Sequence, residues 1–185
     1  HAKQIIKDHC NAGKDDVIIN FASGMTGVIS KFQRILGLRI PEQIQPYTII
    51  PESEKPIVFI THMEHHSNQT SWVESIADVV IVPPDENGLV SLENFESKIE
   101  YFKERKNKIA SITACSNVTG IETPYHDIAK LIHKFNGICF VDFACSAPYV
   151  KIDMHPQDPE QKLDAIFFSP HKFLGGPGTT GVLIF

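Results

Sequence analysis

The sequence lacks the features of several large classes of protein. No apolar run approaches the roughly 20 residues that a membrane-spanning helix requires, so we expect no membrane segment. The 22 acidic groups outnumber the 17 basic ones and leave a net charge of −5, which argues against nucleic acid or an anionic membrane as the main partner. The start of the chain has no signal-peptide pattern, and we expect a cytoplasmic protein.

The cysteines do not have the spacing of a disulfide framework or a redox motif. None of Cys10, Cys115, Cys139 and Cys145 belongs to a Cys-x-x-Cys pair, and the last two lie in or beside an apolar run. Reduced thiols of a cytosolic protein are therefore the better interpretation.

The recognised zinc motifs are missing as well. The segment 62–66 contains three histidines and a glutamate, but it has neither His-Glu-x-x-His nor His-x-x-Glu-His. A metal site would need ligands from elsewhere in the chain, so we expect none. A metal hydrolase built on His62, His65 and His66 remains an alternative.

The chain does contain a regular alternation of apolar strands and amphipathic helices. Apolar runs predict strands at 17–21, 56–61, 78–83, 108–113, 138–142, 165–168 and 182–185. Helices are predicted at 1–13, 28–37, 91–102 and 123–135, and a further helix continues through 71–75. Ser91 and Thr123 are the predicted N-caps. Because most strands are apolar without alternation, we expect one three-layer α/β domain, with a mainly parallel sheet covered by helices on both faces.

Polar residues follow the predicted strands at the points where those strands end. These residues are Gly24 to Thr26, His62 to Asn68, Asn117, Asp142 and Ser169 to Lys172. Since ligands bind outside the carboxyl ends of strands in open α/β sheets, we expect these clusters to form one site. The turn at 22–27 could hold an anion, but it has neither Gly-x-Gly-x-x-Gly nor Gly-Lys-Ser/Thr, and a plain strand-to-helix turn is the alternative.

Lys172 lies in a sequence context that is typical of a catalytic lysine. It lies between an apolar strand and a glycine-rich stretch that lets a ligand approach the backbone. A solvated surface lysine is the alternative to a lysine that forms a Schiff base. Pyridoxal 5'-phosphate requires such a lysine together with an acidic partner for its pyridine nitrogen, which Asp142 could supply.

Four segments resemble those of a known family. They are Glu64 to Asn68 with Trp72, Ser116 to Gly120, Val141 to Cys145, and Ser169 to Lys172 with the Gly176-Pro177-Gly178 turn. In this order and spacing they resemble the class V aminotransferases of fold type I, and within them the cysteine desulfurase and selenocysteine lyase group. The resemblance implies pyridoxal 5'-phosphate as cofactor and an amino acid as substrate.

The resemblance also implies roles for the residues that carry the chemistry. Lys172 would form the Schiff base and then move the Cα proton of the substrate. Asp142 would pair with the pyridine nitrogen, and His65 would stack on the cofactor ring and assist proton transfer. Asn117 would lie near the phenolic oxygen of the cofactor and the substrate carboxylate.

A second set of residues is implied to hold the cofactor phosphate. This set consists of Gly24, Met25 and Thr26 in the first turn, together with Ser169 and His171 beside the lysine. Their backbone N–H groups, hydroxyls and imidazole would bind the phosphate oxygens.

Cys145 departs from the family's pattern. The family usually has a glutamine there, which contacts the phenolic oxygen, whereas a thiol is a weak hydrogen-bond donor. We therefore include Cys145 among the cofactor-binding positions with altered chemistry. Its expected context, a buried strand, favours packing over a reactive thiol.

The resemblance implies a larger protein than this chain. The family places a second, smaller domain after the lysine strand, so residues 1–185 would be a C-terminally truncated large domain of the aspartate-aminotransferase-like fold. The full-length protein would be a homodimer, and elimination of sulfur or selenium is the leading reaction. The alternatives are a class V aminotransferase with another amino-acid substrate and a non-catalytic relative that keeps the fold.

Overall fold

A computed structural model describes all residues from His1 to Phe185. In chain order the elements are α1 (Ala2–His9), β1 (Ile18–Phe21), α2 (Gly24–Ile35), β2 (Ile57–Thr61), α3 (His66–Val73), β3 (Asp78–Val82), α4 (Leu92–Tyr101), β4 (Lys108–Thr113), α5 (Tyr125–Lys134), β5 (Ile138–Asp142), β6 (Ala165–Phe168) and β7 (Gly181–Ile184). Short 3₁₀ turns lie at 45–47, 159–161 and 170–172. None of the helices has both the length and the apolar character that crossing a membrane requires.

The seven strands form one sheet in the order β1-β7-β6-β5-β4-β2-β3. Strand β7 runs antiparallel to both of its neighbours, and the other neighbouring pairs are parallel. The prediction of a mainly parallel sheet is therefore confirmed. Because β2, β4, β5 and β6 point the same way, their carboxyl ends meet at one edge of the sheet.

Helices cover both faces of the sheet, and the alternation of side chains along β5 shows why. Cys139 and Val141 pack into a core of 25 buried residues, which includes Phe95 of α4 and Ile128 of α5. Phe140, between them, packs into a second core of 14 residues with Phe32 of α2 and Trp72 of α3. Successive strand residues point to opposite faces, so an apolar strand must be covered twice, and three layers result.

Two predicted helix starts differ from the structure. Helix α2 begins at Gly24 rather than Val28, because Ser23 and Gly24 both have positive φ (73° and 64°) and turn the chain directly from strand to helix. Thr123 does not cap α5. Its hydroxyl instead donates to the buried Thr113 carbonyl at 2.6 Å, and Pro124 takes the cap position without a side-chain bond.

Ser91 does cap α4. Its side-chain oxygen accepts a hydrogen bond from the Asn94 backbone N–H at 3.0 Å, as predicted from the sequence. The end of α5 also lies close to the prediction, because Asn136 has a φ of 56° and turns the chain away from the helix axis toward β5.

Candidate active site

A cavity of about 200 Å³ opens at the carboxyl edge of the sheet. The predicted site residues that line it are Met25, Thr26, His65, Asn117, Asp142, Cys145, Ser169, His171 and Lys172. The predicted residue Gly24 is not among the lining residues, but it lies next to two of them, Ser169 and His171. A larger hollow of about 430 Å³ lies beside the 40–55 connection, but Glu52 and Lys55 are its only charged residues, so the smaller cavity is the candidate site.

The first turn of α2 forms one end of the cavity. The Ser169 side-chain oxygen accepts a hydrogen bond from the Met25 backbone N–H at 2.9 Å, which joins this turn to the end of β6. A Cβ atom on Gly24 would lie 3.0 Å from His171 Cε1 and 3.3 Å from Ser169 Oγ, so these groups approach closely because residue 24 is glycine. The N-terminus of a 12-residue helix, a serine and a histidine together suit an anionic group.

Asp142 ends β5 and is a buried carboxylate with only part of its hydrogen-bonding capacity used. Its Oδ1 accepts from the Ala144 backbone N–H at 2.8 Å, and Oδ2 accepts no hydrogen bond from the protein. Burial raises the pKa of Asp142 to about 6, and the Ala144 hydrogen bond and the Lys172 charge oppose this rise. A buried carboxylate with a free oxygen in a cavity suits a cationic donor such as a protonated ring nitrogen.

His65 is the N-cap of α3, and its ring is oriented by the residue two positions later. Nδ1 accepts from the Ser67 backbone N–H at 3.1 Å and lies 2.7 Å from Ser67 Oγ. This pattern assigns the ring proton of the neutral form to Nε2. Burial lowers the pKa of His65, and the charges of Lys172 and His66 lower it further. His65 is thus a neutral imidazole whose Nε2–H is available.

Lys172 ends the 3₁₀ turn that follows β6, and its ammonium is exposed at the cavity. The ammonium makes no hydrogen bond or ion pair within the chain. Its charge nevertheless lowers the pKa of His65 and opposes the rise in the pKa of Asp142. Asn117 also lines the cavity and is exposed, and its amide has no hydrogen-bond partner in the chain. Both polar groups are therefore free for a ligand.

Cys145 does not lie in a buried strand, and that expectation is wrong. Strand β5 ends at Asp142, so Cys145 lies in the following turn, where it is half-buried and lines the cavity. Its thiol is next to that of Cys115. The pKa of Cys115 is raised, mainly because the thiol is buried and to a lesser extent because Cys145 is its neighbour. All four cysteines are free thiols in the structure.

Five lining residues are not among the individually predicted site residues: Ser23, Ser67, Thr113, Cys115 and Ala144. Of these, Ser23 and Ser67 lie within the predicted segments 22–27 and 62–68. Thr113 is the clearest case, because it lies opposite Asp142 in the register of β4 and β5. Its position at the end of a predicted strand was a usable signal. Most of the predicted polar clusters lie after a strand, however, whereas Thr113 is the last residue within one.

The three histidines of the metal-hydrolase alternative do not converge. His62 Nε2 is hydrogen-bonded to the Gly88 carbonyl at 3.0 Å, whereas His65 faces Ser67. Within residues 1–185, no group of three or more His, Cys, Asp or Glu side chains is arranged to hold a metal ion.

Comparison with known proteins places the chain among enzymes of one family. The family profile described as aminotransferase class-V matches residues 47–185. A probable cysteine desulfurase of Halalkalibacterium halodurans is 37% identical over 130 residues, which are 68% of this chain and 30% of that protein. A cysteine desulfurase of Synechococcus elongatus is 32% identical over 186 residues, which are 98% of this chain and 26% of that protein.

The fold is shared with a solved structure. The apo structure of a cysteine desulfurase from Thermococcus onnurineus superposes with a TM-score of 0.72 at 23% identity. The match covers 98% of this chain and 41% of that structure. The chain thus spans less than half the length of each of these three proteins.

Proposed function

The chain belongs to the class-V aminotransferase family, and on this basis we propose that it is the large domain of a pyridoxal-phosphate-dependent enzyme that acts on an amino acid. Desulfuration of cysteine is the leading reaction, because the curated relatives described above are cysteine desulfurases. Transamination of another amino acid is the alternative within the family. The homodimeric state and cytoplasmic location of the full-length protein are further parts of this proposal.

One observation carries the proposal. The free ammonium of Lys172, the half-satisfied carboxylate of Asp142 and the helix-initiating turn at Met25 line one cavity, although they come from distant parts of the chain. A cofactor with a carbonyl, a ring nitrogen and a phosphate suits these three groups. The donor set of the cavity therefore fits pyridoxal phosphate.

When bound, pyridoxal phosphate supplies an electron sink for bonds at the substrate's Cα. Asp142 would hold a proton on the ring nitrogen through its negative charge. The Ser169 hydroxyl, His171 and the N-terminus of α2 would hold the phosphate, and the His65 ring would cover one face of the cofactor. Lys172 Nζ would attach the cofactor, and once the substrate's amino group has displaced it, the freed amine would take the proton from the substrate's Cα.

The test uses the full-length protein that contains this chain. Pyridoxal phosphate should produce a near-visible absorbance band, and borohydride should fix the cofactor to the peptide that contains Lys172. Lys172→Ala should lose this covalent link, whereas Lys151→Ala, at an exposed lysine without a side-chain hydrogen bond, should keep it. Absence of the link in the unmodified protein would refute the proposal. Formation of alanine from cysteine, with the removed sulfur recovered as sulfide after a thiol reductant such as dithiothreitol is added, compared with keto-acid formation from other amino acids, then separates the two reactions.

A further inference from the structure

Glu64 directly precedes His65 and has no role in the proposed function, yet its carboxylate receives four hydrogen bonds. Oε1 accepts from Thr61 Oγ1 at 2.7 Å, from the Thr61 backbone N–H at 3.3 Å and from the Thr113 backbone N–H at 2.9 Å. Oε2 accepts from Asn68 Nδ2 at 2.7 Å. One side chain thus connects the ends of β2 and β4 to α3.

One partner of Glu64, Thr113, belongs to the wall of the candidate site, and so does the next residue in the chain, His65. Thr113 lines the cavity and lies opposite Asp142 in the sheet register. Glu64 also directly precedes His65, the N-cap of α3, and its bond from Asn68 ties it to the first turn of that helix. The carboxylate of Glu64 thus bonds one residue of the cavity wall, and the residue that follows Glu64 in the chain is another.

The network around Glu64 requires an acceptor at both carboxylate oxygens. Asn68 is fully buried, and its Nδ2 also donates to the Ser111 carbonyl at 3.1 Å. Its Oδ1 accepts from Trp72 Nε1 at 3.1 Å and from Ser111 Oγ at 2.8 Å. Asn68 therefore cannot rotate its amide without losing these bonds, and a glutamine at position 64 would place an NH₂ group against a donor.

We propose that Glu64 is a positioning residue. It holds Thr113 and His65 in place, and with Asp142 these residues form the end of the cavity that would receive the cofactor ring, here called the ring end. This inference rests on the proposed function. Burial raises the pKa of Glu64 to about 7, while the bonds from Thr61, Asn68 and Thr113 oppose that rise. Since all four partners donate, the geometry is that of the ionised carboxylate.

The phosphate end of the cavity is connected to the His65 side by a weak hydrogen bond, from Ser67 Oγ to Met25 Sδ at 3.4 Å, but it is not bonded to Glu64. It consists of the first turn of α2 and the end of β6, joined by the bond between Met25 and Ser169. No hydrogen bond of Glu64 reaches either element. Loss of the Glu64 carboxylate should therefore impair the ring end and leave the phosphate end intact.

This separation gives the test. In the cofactor-free full-length protein, Glu64→Gln should weaken pyridoxal phosphate binding by about tenfold and leave the affinity for inorganic phosphate within about twofold. The same variant should speed hydrogen exchange at the Thr113 amide. The matched control is Glu74→Gln, at an exposed glutamate that ends the same helix without a side-chain hydrogen bond, and it should change none of these quantities.

Two results would overturn the inference. Unchanged pyridoxal phosphate affinity in a folded Glu64→Gln protein is one, and equal weakening of both ligands, which indicates general damage, is the other. Failure of the unmodified protein to bind pyridoxal phosphate would instead overturn the proposed function, and this inference with it. If Glu64→Gln does not fold, Thr61→Val removes one donor to the same carboxylate and should give the same selectivity with a smaller loss, and an unselective or absent loss there counts against the role.

Discussion

Met25 and Ser169 are hydrogen-bonded across 144 positions of sequence, from the Met25 backbone N–H to the Ser169 side-chain oxygen at 2.9 Å. This bond closes the phosphate end of the candidate site, because it joins the first turn of α2 to the end of β6. The Ser169 oxygen is the acceptor in this bond, so its own hydroxyl proton stays available for an anion. The serine therefore has a structural partner and a free donor at once.

Replacement of this serine should affect both stability and binding. Ser169→Ala leaves the buried Met25 N–H without its partner, which should lower the free energy of unfolding by about 1 kcal/mol and weaken pyridoxal phosphate binding by about tenfold. Ser97→Ala, at an exposed serine of α4 without a side-chain hydrogen bond, is the control and should change neither. Denaturant unfolding and cofactor titration measure the two effects. Unaltered affinity in Ser169→Ala would remove Ser169 from the phosphate site.

Gly24 should be sensitive for two separable reasons, its backbone conformation and its contacts. Its φ is +64°, and an added Cβ would lie 3.0 Å from His171 Cε1. Gly37 has a φ of +72° with no atom within 4 Å of such a Cβ. Alanine at either position should therefore cost about 1 kcal/mol of stability through backbone strain, but only Gly24→Ala should also weaken cofactor binding. Equal affinities of the two variants would contradict the close approach.

Asp142 should make the stability of the cofactor-free protein depend on pH. Burial raises its pKa from the ordinary 3.8 to about 6, so the folded protein binds this proton more tightly than the unfolded chain. Stability from this group is therefore full below about pH 4 and is lost as the pH rises to about 6. Asp142→Asn removes this loss, and its advantage in unfolding free energy should grow over the same range to about 1 to 3 kcal/mol.

The control for that measurement is Asp15→Asn, at an exposed aspartate without a side-chain hydrogen bond. This variant makes the same chemical change at the surface, so it controls for the replacement of a carboxylate by an amide. A constant difference for Asp142→Asn across this range would show that the carboxyl is not desolvated. Asp142→Asn, unlike Asp15→Asn, should also abolish the cofactor-dependent reaction.

The four thiols should react in an order set by exposure and pKa. Cys145 is half-buried in the cavity wall and should be alkylated first, followed by Cys115, whose pKa is raised by burial. Cys10, whose pKa burial raises to about 11, and the fully buried Cys139 should react last. Iodoacetamide labelling with peptide mass spectrometry measures the order. Pyridoxal phosphate should protect Cys145, and an unprotected Cys145 would mean that the cofactor does not occupy this wall.

Most elements of the fold could be predicted because their signal is local. Strand β4 has the predicted bounds 108–113, because a short, largely apolar segment between polar turns predicts a buried strand. The predicted start of α2 is wrong because the pattern of apolar residues does not indicate the positive φ of Ser23, a residue type that rarely adopts positive φ. Thr123 was assigned as a cap because the competing acceptor, the Thr113 carbonyl, is ten positions away.

The sequence by itself determined which chemical groups this protein places after its strands: a lysine, a carboxylate, an imidazole and a small-residue turn. These are local facts, since each group adjoins an apolar run, and parallel strands bring such ends to one edge. Only the tertiary structure decided which of them are neighbours. Thr113 lies beside Asp142 because β4 pairs with β5, and Glu64 reaches Thr113 because β2 pairs with β4. Strand order results from the packing of the whole sheet between its helices, and no single segment encodes it.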